Sequence, residues 1–446
     1  MSKTPAQKSI RYSLKEGFLW IFLFVALQCL MFLFTILDPP EEYRGWLFEF
    51  GVLLGFLSMG FFISQFITTG RFSKVASNYG SDILLHFHKY TGVAAALFFI
   101  AHPIVIISAD FTFIKYFNPF DDFFRAVALI SATIFVISII FTSIFGLPKW
   151  LNYEYWRLTH TFLAAGIVFI GMVHGLQVGH YLNAIWKQAI WIGLALLALY
   201  SIFYVRILRP WQMKKHPYEI DEVIEERGNA YTLKLKPVGH QGLPFKAGQF
   251  AWITVGDSPY SLQQNPFSIA SGEQSQYLKF TAQVVGDFTR KWKSFKKGTP
   301  VWVDMPYGSF TITDAQKGLY FLAAGSGIVP VMSILRTMRA NEDGRKITLL
   351  YGSPSLSEAL FYDELESLKE FLNLKVIHIL ENPPYDWDQE QGFLTKSLIE
   401  KHLPNDTFRY SYYCCGPKPF LDKSELWLRE MGVDWRRIIP ERFTII

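Results

Sequence analysis

The chain has 446 residues and a net charge of +5, and half of its residues are hydrophobic. This length is enough for more than one domain. Its lysines and arginines do not gather into one basic face, which argues against nucleic acid as a partner. Three cysteines, Cys29, Cys414 and Cys415, give no disulfide framework. Long apolar runs fill the sequence from Phe18 to Leu208, and a mixed, soluble-type sequence follows from about Tyr218.

Six apolar segments follow one another in the first half, each with the roughly twenty residues that a helix needs to cross a bilayer. They cover residues 18–37, 48–69, 83–107, 124–146, 157–177 and 184–208. The first segment lacks a small-residue cleavage site, so it is interpreted as a transmembrane helix rather than a signal peptide. The pattern predicts a six-helix membrane bundle.

Basic residues alternate between the two sides of these segments. Most lie before the first segment, between the second and third, between the fourth and fifth, and after the sixth: Lys3, Lys8, Arg11, Lys15, Arg71, Lys74, Lys149, Arg157, Arg206, Arg209, Lys214 and Lys215. The other connections hold only Arg44, Lys115 and, at the start of the last segment, Lys187. The positive-inside rule then places both termini in the cytoplasm.

Four histidines lie inside the predicted third and fifth membrane helices as two pairs with the same spacing. His88 precedes His102 by fourteen residues, and His160 precedes His174 by fourteen. Fourteen residues return to nearly the same helix face about 21 Å along the axis, which is most of the way across a hydrocarbon core. Since the two helices are predicted to run parallel, one pair is expected near each membrane surface. Such pairs would hold two bis-histidine haems and carry electrons across the membrane.

Other polar residues of this half have alternative interpretations. His86 competes with His88, but its spacing to His102 turns it to the opposite face, so His88 is preferred. The four paired histidines would otherwise be buried polar groups that bond between helices. His180, in a short outer loop, is interpreted as a solvated surface residue. Arg44 either attracts an anionic product or a haem propionate, or snorkels to the membrane interface.

The second half begins with a β-rich region. Residues 218–236 alternate as strands do, with a turn at 227–229, and Asn265-Pro266-Phe267-Ser268 falls among further strands. Gly286-Asp287-Phe288-Thr289 opens a short predicted helix. Each motif alone is consistent with a plain turn between strands, so their order carries the information.

From Gly318 the pattern changes to strand, loop and helix in repetition, as in a parallel α/β sheet. A buried-strand run at 320–324 leads into Gly325-Ser326-Gly327-Ile328-Val329-Pro330 and a helix predicted from about Val331 to Arg339. Glycines at this position allow a dinucleotide pyrophosphate to approach the backbone and the helix N-terminus. Near the end, Cys415-Gly416-Pro417 closes another strand, and Glu441 and Phe443 stand just before the C-terminus.

Together these motifs resemble a known family. The second half is similar to ferredoxin–NADP reductases, which join a flavin-binding barrel to a nicotinamide-binding α/β domain. The whole chain resembles the NADPH oxidase and ferric reductase superfamily, in particular its prokaryotic NADPH oxidases. The resemblance implies FAD, two haem b groups and NAD(P)H as electron donor.

The resemblance also implies roles for individual residues. His88, His102, His160 and His174 match the haem ligands. Pro266, Phe267 and Ser268 match the flavin motif, with Ser268 near flavin N5, and Thr289 matches a hydroxyl that reaches the FAD phosphates. Gly325, Gly327 and Pro330 match the dinucleotide loop, and Cys415, Gly416 and Pro417 match the segment beside the nicotinamide. Phe443 resembles the aromatic that covers the flavin, with Glu441 in the acidic position before it. Ser268, Cys415, Glu441 and Phe443 are therefore the expected catalytic residues.

Three positions depart from the family pattern. Asn265 stands where oxidases and ferric reductases usually have histidine, although it remains a candidate FAD contact. Three residues follow Phe443, which in relatives is often last or nearly last. The strand that ends at Ser353 lacks the arginine that commonly binds the 2′-phosphate of NADPH. Ser353 fits either that phosphate or a ribose hydroxyl, so NADPH and NADH are both open as donors.

The expected function is a transmembrane NAD(P)H oxidase that passes electrons through FAD and two haems to extracytoplasmic oxygen and makes superoxide. The alternatives are a ferric-chelate reductase and an electron donor to an extracytoplasmic protein, which would dock on the loop from Ser108 to Asp122. No calcium-binding loop or proline-rich tail occurs in the sequence, so no obligatory protein activator is predicted.

Four segments are predicted. These are a cytoplasmic tail (1–16), a six-helix haem domain (17–210), a β-barrel FAD domain (211–317) and an α/β NAD(P)H-binding domain (318–446). The protein is expected to be a multi-pass component of the inner or plasma membrane, surrounded by lipid, with both termini inside the cell.

Overall fold

The structure is a computed structural model that describes residues 5–40, 42–70, 72, 81–144, 152–313 and 316–442. Its residues fall into two compact units: most of the chain from Lys15 to Arg209 forms one, and the chain from Pro210 onward makes up most of the other. Phe443 and three of the loop cations, Arg71, Lys74 and Lys149, lie outside the described residues.

The first unit is built from long apolar helices. Six of the described helices are long and apolar enough to cross a membrane, as predicted. Their bounds are α1 (Pro5–Ile36), α2 (Trp46–Thr69), α3 (Ser81–Ala109), α4 (Phe123–Ile144), α5 (Tyr153–Val178) and α6 (Ile185–Phe203). The last continues through a π-helical turn (Tyr204–Leu208) into a final turn (Arg209–Met213).

Polar side chains tie α2 to α3 inside this apolar bundle. Ser58 donates a hydrogen bond from Oγ to the Ala95 carbonyl oxygen at 3.0 Å. Gln65 donates from Nε2 to Thr91 Oγ1 at 2.9 Å. Such bonds between helices are favourable in a membrane because no water competes for the groups. They fix α3, which carries His88 and His102, against α2.

A buried lysine connects α6 to the end of α1. Lys187 is fully buried, and its Nζ donates to the carbonyl oxygen of Asp38 at 2.8 Å and to that of Phe34 at 3.4 Å. The carbonyls at a helix C-terminus lack partners within the helix and carry partial negative charge. Lys187 therefore satisfies the end of α1 and stabilises the packing of α6 against it.

The second unit begins with an antiparallel six-stranded sheet whose order is β4-β3-β6-β1-β2-β5. Alternating buried residues of these strands close around one apolar core. A short helix, α7 (Asp287–Arg290), follows β5 as the sequence predicts. The strands are β1 (Tyr218–Glu226), β2 (Ala230–Pro237), β3 (Phe250–Val255), β4 (Asn265–Ser268), β5 (Leu278–Gln283) and β6 (Pro300–Tyr307).

A second six-stranded sheet, with all pairings parallel, follows in the order β10-β9-β8-β7-β11-β12. Its central strand β7 is apolar and almost fully buried, as expected for a parallel strand with helices on both faces of the sheet. The strands are β7 (Gly318–Ala324), β8 (Lys346–Ser353), β9 (Leu374–Leu380), β10 (Glu390–Gln391), β11 (Tyr410–Cys415) and β12 (Ile438–Glu441). The helices are α8 (Ile328–Ala340), α9 (Tyr362–Leu368), α10 (Lys396–His402) and α11 (Lys418–Glu430). The predicted fold class is confirmed.

Candidate functional site

The two predicted histidine pairs face each other across α3 and α5. The ring centroids of His88 and His160 are 6.2 Å apart, and those of His102 and His174 are 6.4 Å apart. The rings of each pair are tilted by 58° and 72°, so neither pair is stacked. Because the pairs lie fourteen residues apart on both helices, they form two separate sites along the bundle.

These distances fit a metal ion between each pair of rings. An imidazole nitrogen binds a metal at about 2 Å, so two rings on opposite sides of one ion have centres about 6 Å apart. Among the described residues, the Nδ1 atoms of His88, His160 and His174 are buried without hydrogen-bond partners. His102 Nδ1 lies 2.7 Å from the Gly51 carbonyl oxygen. A neutral imidazole that donates from Nδ1 there keeps its lone pair on Nε2 for a metal. The residues therefore fit the predicted bis-histidine haems.

Glycines of α2 make room for the His102 ring. A Cβ at Gly55 would lie 2.8 Å from His102 Nδ1 and 3.0 Å from its Cε1. These separations are shorter than van der Waals contact, so only glycine leaves the ring in place. Gly51, one helical turn earlier, supplies the carbonyl oxygen beside Nδ1. The two glycines orient one ligand of the predicted outer haem.

A cavity of about 380 Å³ opens beside His102 and His174. Its walls are mostly apolar, and they include Arg44 and Arg125, which also pair loosely with Glu42 at 3.7 Å and Asp122 at 3.5 Å. Tyr181, also in the wall, donates a hydrogen bond from its hydroxyl to the Glu49 carboxylate. The cavity thus contains two histidines that could bind a haem iron, together with two cationic side chains. The cations suit anionic haem propionates or an anionic product.

His180 differs from its interpretation as a solvated surface residue. It lines the same cavity, and its Nε2 is buried without a hydrogen-bond partner among the described residues. Its ring lies 5.2 Å from the Tyr181 ring. The sequence shows only that His180 follows a helix, because the return of the loop over the cavity depends on tertiary packing.

The predicted dinucleotide loop lies at the carboxyl ends of neighbouring parallel strands. Gly325 has φ +54, and Gly327 leads directly into α8, where Pro330 occupies the first turn. A Cβ at Gly327 would lie 2.1 Å from the Cys415 carbonyl oxygen, so only glycine is accommodated there. The free N–H groups of the first turn of α8 are suited to a phosphate. The structure thus brings this loop against the Cys415-Gly416-Pro417 segment, as the resemblance implies.

Cys415 and Glu441 are neighbours at the ends of β11 and β12. They are register partners in the parallel sheet, and Cys415 also pairs with Ala323 of β7. Cys415 is fully buried, and this burial raises the pKa of its thiol well above the usual range, with the charge of Glu441 adding to the shift. The burial of Cys415 therefore favours the neutral thiol over the thiolate.

The flavin motif lies at the end of β4 and reaches this region through a chain of contacts. Ser268 pairs with Phe250, which pairs with Tyr307. The next residue, Gly308, would place a Cβ 3.7 Å from Glu441 Oε1. Ser268 and Cys415 are thus linked through one continuous set of residues. Phe250 and Gly308 were not identified from the sequence, since only the pairing of β3 with β6 shows their position.

Other residues of the flavin motif have mixed surroundings. Asn265 Nδ2 is buried without a partner among the described residues, which leaves a donor for FAD. Phe267 packs into the barrel core, with its ring 4.9 Å from that of Trp292 and 5.9 Å from that of Phe288. The Thr289 hydroxyl accepts hydrogen bonds from the backbone N–H groups of residues 285 and 286, both at 3.1 Å. Pro266 pairs with Trp252 in the adjacent strand.

Two further predicted residues lie at the edges of the site. Ser353 is the last residue of β8 and is only 3% exposed. Its hydroxyl is therefore less accessible to a bound dinucleotide than the side chains of the exposed residues that follow it. Phe443 lies outside the described residues, and its predicted position over the flavin stays a prediction.

Arg336 of α8 joins the two soluble domains and was not found from the sequence. Its guanidinium donates from Nε to Glu364 Oε1 at 2.7 Å and from Nη1 to the Ala270 carbonyl oxygen at 2.5 Å. Ala270 lies two residues beyond Ser268. Arg336 therefore connects the flavin motif to the dinucleotide domain, and no local sequence pattern marks this contact.

Three known domain families match the chain. A ferric reductase like transmembrane component matches residues 54–171, an FAD-binding domain matches residues 228–311, and an oxidoreductase NAD-binding domain matches residues 321–425. The first includes all but the last of the four paired histidines, and the other two include the flavin motif and the dinucleotide loop.

Curated relatives match parts of the chain. NADH oxidoreductase HCR of Escherichia coli is 27% identical over 52% of this chain and 68% of its own length. NADH-cytochrome b5 reductase 1 of Lodderomyces elongisporus is 34% identical over 37% of this chain and 57% of its own length. The plasma membrane-associated coenzyme Q6 reductase PGA3 of Saccharomyces cerevisiae is 25% identical over 61% of this chain and 88% of its own length.

Solved structures with a related chain trace include the FAD/NAD-binding domain of a nitric oxide dioxygenase from Vibrio cholerae. It is 22% identical, covers 51% of this chain and 98% of that chain, and has a TM-score of 0.46. A flavohemoglobin from Malassezia yamatoensis is 19% identical, covers 88% of this chain and 95% of that chain, and has a TM-score of 0.48.

The order of the three matched domain families along the chain defines its domain architecture. A ferric reductase-like membrane domain precedes a flavin domain and a nicotinamide-dinucleotide domain, and six described helices are suited to span a membrane. The chain therefore has the NADPH oxidase/ferric reductase-type architecture and is a multi-pass, NAD(P)H-dependent flavin oxidoreductase.

Proposed function

We propose that this protein is a transmembrane NAD(P)H oxidase. It takes electrons from cytoplasmic NAD(P)H through FAD and two bis-histidine haem b groups and reduces extracytoplasmic oxygen to superoxide. The observation that carries the proposal is the presence of two imidazole pairs, with ring centroids 6.2 Å and 6.4 Å apart, at two depths of one bundle. Two pairs at this spacing would hold two haems and so provide a route for electrons along the bundle. A polar contact that only holds two helices together would not need two such pairs.

Residues of the soluble domains would position NAD(P)H and FAD for the first electron transfer. Gly325 and Gly327 allow the dinucleotide phosphates to approach the first turn of α8. The resemblance assigns Ser268 to the flavin and Cys415 to the nicotinamide, and the pairings through Phe250 and Gly308 connect the two segments. When bound, FAD converts a two-electron donor into single-electron transfer, and haem carries the single electrons.

The membrane residues favour electron transfer over ligand binding. Each pair offers two imidazoles, so protein side chains would supply two nitrogen ligands to a haem iron bound there. Arg44 and Arg125 line the cavity beside His102 and His174. Their positive charge favours propionates or a newly formed anion at this place. Oxygen is a small neutral molecule that an apolar cavity of about 380 Å³ admits.

Ferric-chelate reduction is the second candidate. The match to a ferric reductase like transmembrane component favours it, and the cationic wall formed by Arg44 and Arg125 would also attract an anionic chelate. The two candidates share the donor, the flavin and the route through the bundle, and they differ only in the acceptor. Electron donation to an extracytoplasmic protein differs in needing the loop from Ser108 to Asp122.

The proposal includes an orientation and a mode of control. Both termini face the cytoplasm of a cell bounded by the inner or plasma membrane, and the surrounding partner is lipid. No obligatory protein activator is needed once FAD and NAD(P)H are present. A strict requirement for an added protein in the purified system would contradict this part of the proposal.

The deciding experiment measures superoxide from purified, haem-loaded protein supplied with FAD and NADH or NADPH. Only the signal removed by superoxide dismutase is scored. We expect this signal to disappear in His102→Leu, which removes an outer ligand. His86→Leu is the matched control, because this exposed histidine lies outside both pairs, and we expect it to keep the signal.

The other outcomes separate the candidates. Haem that is reduced by NAD(P)H with little superoxide, but with rapid ferric-chelate reduction, would support the second candidate. Oxygen reduction that survives deletion of residues 108–122 would argue against a protein acceptor. A preparation that binds no haem under any loading condition would contradict the proposal as a whole.

A further inference from the structure

We propose that the electron donor is NADH rather than NADPH, and that Glu358 with Ser355, at the carboxyl end of β8, selects it. This inference rests on the proposed use of a nicotinamide dinucleotide and names which of the two is used. The observation behind it is a cluster of two serine hydroxyls and one carboxylate, formed by Ser355, Ser357 and Glu358. The loop that carries them contains no lysine or arginine.

The topology of the sheet places the adenosine half of the dinucleotide over β8. Ligands of parallel α/β sheets bind at the carboxyl ends of the strands, and the dinucleotide loop Gly325–Gly327 follows β7. On one side of β7 lies β11, whose end carries Cys415 next to Glu441 and the barrel. The nicotinamide must meet the flavin on that side. The adenosine ribose therefore extends to the other side, where β8 and then β9 are the next strands.

The loop after β8 presents hydroxyl and carboxylate groups there. Ser355 donates a hydrogen bond from Oγ to Glu358 Oε2 at 3.0 Å, and its Oγ lies 2.9 Å from Ser357 Oγ. Glu358 and Ser357 are exposed, while Ser353 is buried. A carboxylate in this position accepts hydrogen bonds from ribose hydroxyls, as in NAD-binding folds, and repels a 2′-phosphate.

The backbone of this loop is held in place by the barrel. Gly228, in the turn between β1 and β2, donates from its N–H to the Ser357 carbonyl oxygen at 3.1 Å. A Cβ at Gly228 would lie 2.9 Å from the Glu358 carbonyl oxygen. Glu358 therefore projects from a fixed backbone, and its carboxylate does not depend on a mobile loop for its position.

Neighbouring sequence adds negative charge, and part of it is paired with cations from elsewhere in the chain: Asp363 with Arg227, Glu364 with Arg336, Glu366 with Lys369 and Glu390 with Lys401. Glu358 has no ion pair among the described residues. Residues 353–368 and 381–391, which follow β8 and β9, contain no lysine or arginine. They contain eight acidic residues: Glu358, Asp363, Glu364, Glu366, Glu381, Asp386, Asp388 and Glu390. A 2′-phosphate carries up to two negative charges, and binding it here would add repulsion without a bidentate arginine partner.

Arg227 is the nearest rival feature, because it reaches this loop from the barrel. Its Nη2 donates to both carboxylate oxygens of Asp363, at 3.0 and 2.8 Å, and its Nη1 donates to the Leu356 carbonyl oxygen at 3.1 Å. Its charge is thus already paired. If Arg227 bound the 2′-phosphate, Arg227→Gln would lose NADPH use selectively, which gives the test a second arm.

The test measures anaerobic FAD reduction by stopped flow in the full-length, FAD-loaded protein, with NADH and NADPH in turn. Calorimetric Kd values for NAD⁺ and NADP⁺ give a readout that does not depend on turnover. For the native protein we expect the second-order rate constant of FAD reduction by NADH to exceed that by NADPH by at least about tenfold, the size of one charged hydrogen bond. Glu358→Gln should lower this ratio roughly tenfold for the same reason.

Glu370→Gln is the matched control. Glu370 is exposed and lies between α9 and β9, at the opposite edge of the sheet, and the substitution changes the net charge equally. We expect it to leave the NADH to NADPH ratio unchanged. An equal shift in both variants would show that general charge, and not Glu358, sets the preference, and would overturn the assignment.

The remaining outcomes separate this inference from the proposed function. Equal or faster FAD reduction by NADPH in the native protein, or selective loss of NADPH use in Arg227→Gln, would overturn the inference and leave the oxidase proposal intact. Failure of both donors to reduce FAD would overturn both. Superoxide formation is not part of this readout, so an acceptor other than oxygen does not affect it.

Discussion

Residue 55 is a glycine, and the absence of a Cβ there leaves room for the His102 ring. Because a Cβ on Gly55 would approach His102 Nδ1 to 2.8 Å, Gly55→Ala should displace the ring and weaken the proposed outer haem site. We expect the haem content to fall from two per protein toward one, while the site of His88 and His160 is retained. The measurement is the pyridine haemochrome content of purified protein, with the potentials of the remaining haem.

The same substitution at another membrane glycine provides the control. Gly193 of α6 has no atom within 4 Å of its Cβ position, so Gly193→Ala should retain both haems and add slightly to helix stability. Two haems with unchanged potentials in Gly55→Ala would contradict the role given to this glycine.

The buried thiol of Cys415, at the proposed dinucleotide site, leads to a second prediction at the level of a single residue. Burial, together with the charges of Glu441 and Cys414, raises the pKa of Cys415, so the thiolate that reacts with maleimide is scarce at neutral pH. In a Cys29→Ser background we expect the native protein to resist labelling and the unfolded protein to label quickly. Mass spectrometry of the labelled peptide measures both. Rapid labelling of native Cys415 would show that the thiol is accessible and ionised.

Residues that repeat at a helical or local spacing could be predicted from the sequence. The fourteen-residue spacing identified His88 with His102 and His160 with His174, because a helix converts spacing directly into direction. Arg336 could not be found this way. Its contacts with Ala270 and Glu364 join parts of the chain that are distant in sequence, and only the folded domains bring them together.

At the scale of elements, α8 contacts two parts of the soluble unit. Its N-terminus follows the predicted dinucleotide loop, and Arg336 in its second half contacts the barrel. Arg336 in this helix bonds to Glu364 and to the carbonyl of Ala270 near the flavin motif. Arg336→Met should loosen the alignment of the two soluble domains. We expect FAD reduction to slow by about tenfold, the effect of a lost hydrogen bond to a charged group, with the haem content unchanged.

Arg339→Met is the control from the same helix, because Arg339 is exposed and contacts Phe371 rather than the barrel. It should reduce FAD at the native rate. If both variants slow FAD reduction equally, a general loss of α8 stability is responsible rather than the interdomain contact.

The pH dependence of this contact follows from Glu364. Burial alone would raise the pKa of Glu364, but the hydrogen bonds and charge of Arg336 outweigh it and lower the pKa. A lowered carboxyl pKa means that the pair stabilises the fold at neutral pH and that this stability is lost as the pH falls below about 4. Thermal unfolding between pH 7 and 3 should therefore show a steeper acid loss in the native protein than in Arg336→Met.

Elements were predicted best where one physical pattern controls them. The apolar runs gave all six spans, and the helix predicted at 331–339 is found at Ile328–Ala340. The first helix begins at Pro5, well before the apolar run at Phe18. Hydropathy reports only the part of a helix that fits a membrane, and a helix continues through basic residues without an apolar signal.

For the whole molecule, the proposed function requires the soluble domains to lie on the side where NAD(P)H is available. The distribution of Lys and Arg predicts this side through the positive-inside rule. A C-terminal fusion to green fluorescent protein should fluoresce, and one to alkaline phosphatase should be inactive, because these reporters work on opposite sides of a bacterial membrane. Phosphatase fused after Asp122, in the loop between α3 and α4, should be active. An active C-terminal phosphatase would place the dinucleotide site outside the cell and contradict the proposed direction of electron flow.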